Sequence, residues 1–256
     1  MIHFVPKHED LKWYSMPLLV PREVGREAPG VEIIGTGILF QIGQKRFCVT
    51  ARHVADLADE TDLLYPASAD KAVMFSGDRA RTNPALDEAP APIRNLDLAI
   101  LTLGDAPVHP RYRFLGSGQL YNSQEPIEGG IGGVAVGYPS GRNKTFRNSP
   151  RVSSEQMSMG FITAPIERYE SLGLHPGLHL AFEHDKEVIH ESGQTGPLPK
   201  LKGMSGGGMW LRVPGNRYAL AGITSDHLLR DRVVFGTRIQ MVNGLIRDYL
   251  QGRPAA

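Results

Sequence analysis

Gly203-Met204-Ser205-Gly206-Gly207 decides how this chain reads. It sets a serine in a turn flanked by glycines, the residues that accept unusual backbone angles and let other segments approach closely. Two short words upstream give it meaning: Thr50-Ala51-Arg52-His53, and Asn95-Leu96-Asp97-Leu98-Ala99-Ile100. In chain order they supply a base, a carboxylate and a nucleophile. A serine hydroxyl is a poor nucleophile until a base within hydrogen-bond reach takes its proton, and the base needs a third group to fix its tautomer. The expected roles are Ser205 as attacking group, His53 as general base and then acid, and Asp97 as the group that orients the imidazole. A tetrahedral intermediate also needs donors aimed at its oxyanion. The backbone N–H groups of Gly203 and Ser205 are the expected ones.

The segments around these words read as strands. Residues 31–42 (VEIIGTGILFQI) and 45–50 (KRFCVT) flank Gly43-Gln44, the pattern of a hairpin with a two-residue turn. Residues 51–58 fit a short helical turn that carries His53. Further short, β-branched runs stand at 71–75, 97–103, 131–138, 178–182, 208–212, 218–224 and 233–239, each bounded by turn residues. The end differs: residues 240–251 (QMVNGLIRDYLQ) put Met241, Leu245 and Tyr249 on one face, with Gly252 and Pro254 as stops, so a C-terminal amphipathic helix is expected. Residues 76–94 and 140–170 read as polar loops. The reading is all-β, with an internal boundary in the loop at about 104–130 and no composition break between independent domains.

Composition narrows the function classes. The chain has 256 residues, 41% hydrophobic and 21% charged, which is ample for a sizeable core. A net charge of +1 without a long basic block gives no support to nucleic-acid or anionic-membrane binding. Cys48 is the only cysteine, so no intramolecular disulfide framework exists, and its alternating surroundings read as a buried strand. The N-terminus lacks the basic start and apolar run of a signal peptide, and no apolar stretch approaches a membrane span. The expected location is cytoplasmic.

At this point the chain resembles the trypsin-like (chymotrypsin-fold) serine peptidases. The histidine word matches Thr-Ala-x-His at 50–53, the aspartate word matches at Asp97-Leu98-Ala99-Ile100, and the serine word Gly-x-Ser-Gly-Gly matches at 203–207. Leu220-Ala221-Gly222-Ile223-Thr224-Ser225 is similar to the strand that follows the serine in that family, Gly35-Thr36-Gly37 to the opening of its first barrel, and Gly137-Tyr138-Pro139 to a recurrent word of bacterial members. The likeness runs from about residue 31 to 251. It implies two six-stranded antiparallel Greek-key β-barrels, about 13–110 and 111–239, with the helix at 240–251 completing a single peptidase domain. It implies a serine endopeptidase acting on polypeptide through a Ser205 acyl-enzyme, with no cofactor or metal. Thr224, Ser225, Asp226 and His227 would line the substrate cleft.

Three departures qualify the implication. Secreted members carry an aspartate before the serine that pairs with a new N-terminus after zymogen cleavage; Met204 stands there and forms no ion pair. With the missing disulfides, this points to intracellular, bacterial-type relatives. The oxyanion loop must then be ordered by a buried Met204 or by an activating partner protein. The position that selects Arg or Lys in trypsin-like members is Pro199, and a bulky His227 would narrow a deep pocket, so no strong basic preference is expected.

Other readings are less economical. Gly203 to Gly207 also satisfies the Gly-x-Ser-x-Gly elbow of α/β-hydrolases, but those order the triad serine, acid, histidine, and only His227 follows Ser205. Asp105 and Asp87 are fallback carboxylates, and neither begins an apolar strand. His175, His179, His184 and His190 cluster in sequence, yet Pro176 and Gly177 break the helical spacing a metal pair would use. Pro197 and Pro199 read as stiffeners before the nucleophile turn. Arg142, Lys144, Arg147 and Arg151 read as a solvated loop face, the sharper idea being a gating or autocleavage loop. The runner-up function is a binding module of the same fold that no longer cuts, or cuts only when triggered. A structural or interaction protein working through the 140–170 loop is a third class.

Overall fold

The computed structural model describes residues 7–22, 30–68, 71–82, 96–140, 154–185, 187–189, 195–198 and 200–253. The predicted hairpin is present: β2 (Gly30–Ile42) and β3 (Lys45–Thr50) pair from Ile42↔Lys45 to Ile38↔Val49. A 3₁₀ turn over His8–Tyr14 leads into β1 (Ser15–Arg22), which pairs antiparallel along β2. After β3 come the five-residue helix α1 (Arg52–Asp56), the short strands β4 (Leu64–Pro66), β5 (Ala72–Met74) and β6 (Arg79–Arg81), and then β7 (Ala99–Thr102). These form one antiparallel sheet in the order β5-β4-β1-β2-β3-β7-β6.

The second half holds β8 (Gly132–Gly137), β9 (Met157–Thr163), the short helix α2 (Glu167–Ser171), β10 (His179–Glu183), a small hairpin of β11 (Glu187–Ile189) and β12 (Thr195–Pro197), then β13 (Gly208–Val213), β14 (Arg217–Leu228) and β15 (Val233–Arg238). Its sheet runs β10-β15-β14-β13-β8-β9. The ladder closes on itself, because β9 pairs back onto β10 through Phe182↔Thr163 and Glu183↔Ile162. The expected C-terminal helix is α3 (Ile239–Leu250).

Period-2 alternation explains the packing, since successive strand residues point to opposite faces. Phe47 and Val49 enter a core shared by both sheets, whereas Cys48 between them enters the interior of the first sheet. Ile38 and Phe40 against Leu39 repeat the pattern on β2. In the second sheet Val134, Val136 and Trp210 face the shared core, while Ala135, Met209 and Leu211 face inward. Ile239, Val242, Leu245 and Ile246 of α3 close the shared core from outside. Each fully buried large apolar side chain contributes about 1.5–3 kcal/mol, so the shared cluster binds the two sheets together while the other two fill the interior of each.

The segment between the sheets runs beside both, bridging Phe40↔Leu115 and Leu120↔Leu220. Arg238, 1% exposed, fastens it. Its guanidinium donates to the carbonyls of Ser123 (3.0 Å), Glu125 (2.8 Å) and Pro176 (3.0 Å). Burial lowers its pKa.

Two expectations need correction. The first half has seven strands rather than six, and its ladder is open between β5 and β6 among the described residues. Segment 140–170 is not loop throughout: Met157, Met159 and Phe161 alternate inward from β9, and α2 follows. The stretch 141–153, with the four basic residues, lies outside the described residues. Among the described residues no helix is long and apolar enough to cross a membrane.

Candidate active site

The ladder between β3 and β7 places the expected histidine and aspartate. Thr50 pairs with Ala99, so the end of β3 lies beside the start of β7. His53, three residues after Thr50, and Asp97, two before Ala99, therefore emerge from the same end of the sheet. Asp97 grips His53 twice. Its Oδ2 lies 2.7 Å from His53 Nδ1, and its Oδ1 accepts the His53 backbone N–H at 3.0 Å. A ring held through Nδ1–H presents Nε2 as its free acceptor. The His53 side chain is 54% exposed, so the ring is reachable.

The hydrogen bond from Asp97 is the largest influence on His53 and raises its pKa above the ordinary 6.5; partial burial opposes it, and the charges of Asp97, Asp226 and Asp56 add to it. Thr82 steadies the approach to Asp97. Its Oγ1 donates to the Leu96 carbonyl at 2.6 Å, and its N–H donates to the Leu98 carbonyl at 3.0 Å. α1 is tied to β6 by charge: Arg81 reaches both Asp56 (3.0 Å) and Asp59 (2.7 Å), and Arg79 also reaches Asp59 (3.1 Å).

Ser205 comes from the second half, in a turn built by glycine. Gly203 has φ +93°, and a Cβ there would lie 2.6 Å from the Tyr138 carbonyl oxygen. Gly206 has φ +84°, and a Cβ there would lie 2.0 Å from the Thr36 carbonyl oxygen and 3.0 Å from the Ala51 nitrogen. No side chain fits either place. The second contact is the one that matters for the site, because it presses the residue after Ser205 against the chain two residues before His53. The Gly206 N–H donates to the Thr224 carbonyl (2.7 Å), and the Thr224 N–H to the Gly207 carbonyl (2.8 Å). Among the described residues, the N–H groups of Gly203 and Ser205 have no backbone acceptor. Met204 is 1% exposed and packs inside the second sheet with Met157, Met159 and Leu201.

Thr36 is the joint between the halves. Its N–H donates to the Ser205 carbonyl (2.8 Å), its Oγ1 donates to the Gly203 carbonyl (2.9 Å), and the same Oγ1 accepts the Tyr138 N–H (2.9 Å). Thr50 Oγ1 in turn donates to the Thr36 carbonyl (2.7 Å). The sequence offered one signal for it, a threonine between two glycines; Thr82 carried none.

Of the residues expected to line the cleft, Thr224 and Ser225 are buried beside the serine turn and Asp226 is exposed. Pro199 lies outside the described residues, as do Asp87 and His190. His227 turns to His184, with the two Nε2 atoms 2.9 Å apart. His184 Nδ1 donates to the Asp185 carbonyl at 2.7 Å. Burial and the neighbouring ring push the His227 pKa down to about 4. His175 and His179 engage each other locally, the His175 N–H donating to His179 Nδ1 at 3.1 Å. Among the described residues no three His, Cys, Asp or Glu side chains gather where they could hold a metal ion. A surface pocket of about 750 Å³ lies away from Ser205, lined by Phe161, Ile162, Arg168, His184, Arg230 and Arg232 among others.

No protein-family model matches the chain, and no curated protein matches it.

Proposed function

We propose that the chain is a serine endopeptidase of the trypsin-like kind, with Ser205, His53 and Asp97 as its triad and two Greek-key β-barrels as its frame. The observation that carries the reading is the double grip of Asp97 on His53 at the sheet end that meets the Ser205 turn. A carboxylate that holds both ring and backbone fixes orientation and tautomer together, as a general base requires.

The strand order supports the frame. Counted from its first strand, the second sheet runs β8-β9-β10-β15-β14-β13, and the first gives the same pattern if β5 and β6 are one interrupted strand. A free strand edge supports a polypeptide substrate. β13 pairs with β14 only as far as Ile223, so among the described residues Asp226 to Leu228 pair with β15 alone. An extended peptide would complete that edge beside Ser205.

In the proposed reaction Ser205 Oγ attacks the scissile carbonyl while His53 Nε2 takes its proton. Asp97 stabilises the imidazolium, in keeping with the raised His53 pKa. The Gly203 and Ser205 N–H groups receive the oxyanion. His53 then protonates the leaving amine, and water, deprotonated by the same ring, releases the acyl group. Buried Met204 takes the place of an ion pair in ordering the turn, so no zymogen cleavage is needed. The test is labelling by a fluorophosphonate probe. Wild type labels, Ser205→Ala and His53→Ala do not, and Asp97→Asn labels weakly. Folded wild type that resists the probe would favour the non-cleaving or partner-triggered binding module.

A further inference from the structure

We infer that Asp226 makes this cleft select polypeptides carrying a lysine or arginine within three residues of the scissile bond. The inference rests on the endopeptidase reading and adds the class of substrate.

β14 carries a bulge beside the serine turn. Thr224 pairs with Gly236 and Asp226 with Phe235, so Ser225 is an extra residue in the ladder. A bulge re-aims the side chain next to it. Ser225 is buried and Asp226 is exposed, on the free edge that begins at the serine turn. Among the described residues the Asp226 carboxylate makes one hydrogen bond, Oδ1 accepting the His227 N–H at 2.7 Å, and no ion pair. Its other oxygen is uncommitted.

The surroundings do not cancel its charge. Three carboxylates act on the His53 ring, those of Asp97, Asp226 and Asp56. Asp97 is engaged by His53, and Asp56 by Arg52 (3.4 Å) and Arg81 (3.0 Å). Asp226 alone lacks a cationic partner among the described residues. His227 beside it stays neutral, because burial and the His184 ring hold its pKa down to about 4. Among the described residues, Asp226 is therefore the unpaired anion that acts on the general base and stands open to a passing peptide. A cationic side chain would meet it as an exposed ion pair; an anionic one would be repelled. This selection acts at the strand edge and does not require an acidic pocket floor at Pro199.

Exposed pairs are individually weak, so Lys over Glu, which sets attraction against repulsion, is expected to give about a tenfold difference. The experiment is a fluorogenic peptide library at low ionic strength, with Lys, Arg, Gln and Glu placed in turn at the three positions on each side of the bond. Wild type, Asp226→Asn and Asp226→Lys are compared, and each rate is normalised to active sites counted with the fluorophosphonate probe. The expected result is a Lys/Arg preference at one position in wild type, near parity in Asp226→Asn and inversion in Asp226→Lys, with wild-type preference shrinking as salt is added. A labelled wild type with no charge preference, or one unchanged in Asp226→Asn, overturns this inference and leaves the triad standing. A folded wild type that neither labels nor cleaves overturns the reading beneath it.

Discussion

In the second sheet β9 returns to β10 and the hydrogen-bonded ring is complete, whereas in the first sheet the end strands β5 and β6 do not pair among the described residues. They are nonetheless consecutive in the chain, separated by residues 75–78, so the polypeptide itself spans the gap. The difference continues into the residues each half contributes. The Ser205 turn is fixed by shape: glycines so crowded that no Cβ fits, and a buried Met204 beneath. The His53–Asp97 pair is fixed by charge: a carboxylate on the ring and the Arg79, Arg81, Asp56, Asp59 group strapping α1 to β6. One half is preorganised by steric exclusion, which salt and pH leave alone, and the other by electrostatics, which they do not.

The largest effect should come from breaking the charged half at its centre. Asp97→Asn is expected to lower kcat/KM by about 10⁴-fold. It also removes the main cause that raises the His53 pKa. In the proposed reaction the base must be neutral to act, so a raised pKa would make activity fail at a higher pH on acidification; the variant's ring should titrate lower, as NMR of the imidazole would show. An unmoved titration would mean that Asp97 does not govern the ring.

Breaking the shaped half comes next. Gly206→Ala forces a Cβ to 2.0 Å from the Thr36 carbonyl oxygen at φ +84°. The expected loss is about 10²- to 10³-fold in probe labelling, from displacement of the nucleophile, with about 3 kcal/mol less stability in urea unfolding. Full labelling would show the turn to be looser than its contacts imply.

Met204→Ala sharpens the contrast, because it tests shape without touching a charge. About 2–5 kcal/mol of stability should be lost to the cavity, and added salt should not alter the difference from wild type. The smallest effect is expected from Arg81→Ala. Its pairs are partly exposed, so a few-fold drop in turnover is expected, and high salt should reproduce the drop in wild type. If the Arg81 and Met204 variants responded alike to salt, the division between the halves would fail.

The sequence made the all-β class, the C-terminal helix and the paired histidine and aspartate legible, because each rests on local patterning. β1 was hidden by Pro17 and Pro21. It tolerates them because β1 meets β4 only at Leu19↔Leu64 and is otherwise an edge. β9 was hidden because its inward residues are methionines and a phenylalanine set among Ser158 and Gly160. Thr36 showed only as a threonine between two glycines and Thr82 not at all, because hydrogen bonds that depend on the assembled ladder leave little local pattern. The His184–His227 pair was missed likewise, its members standing 43 residues apart in the chain.

Arg238 has a consequence in time. Its carbonyl partners at Ser123 and Glu125 lie 115 and 113 residues away along the chain, and Pro176 lies 62 away. Contacts of such separation carry a large loop-closure cost and form after local pairing has assembled. The arginine is therefore a late clasp, joining the inter-sheet segment to the start of α3 when both sheets already stand. Interactions absent from the transition state govern how fast a protein comes apart rather than how fast it forms. Loosening this clasp should shorten the lifetime of the native molecule and leave its folding rate nearly untouched.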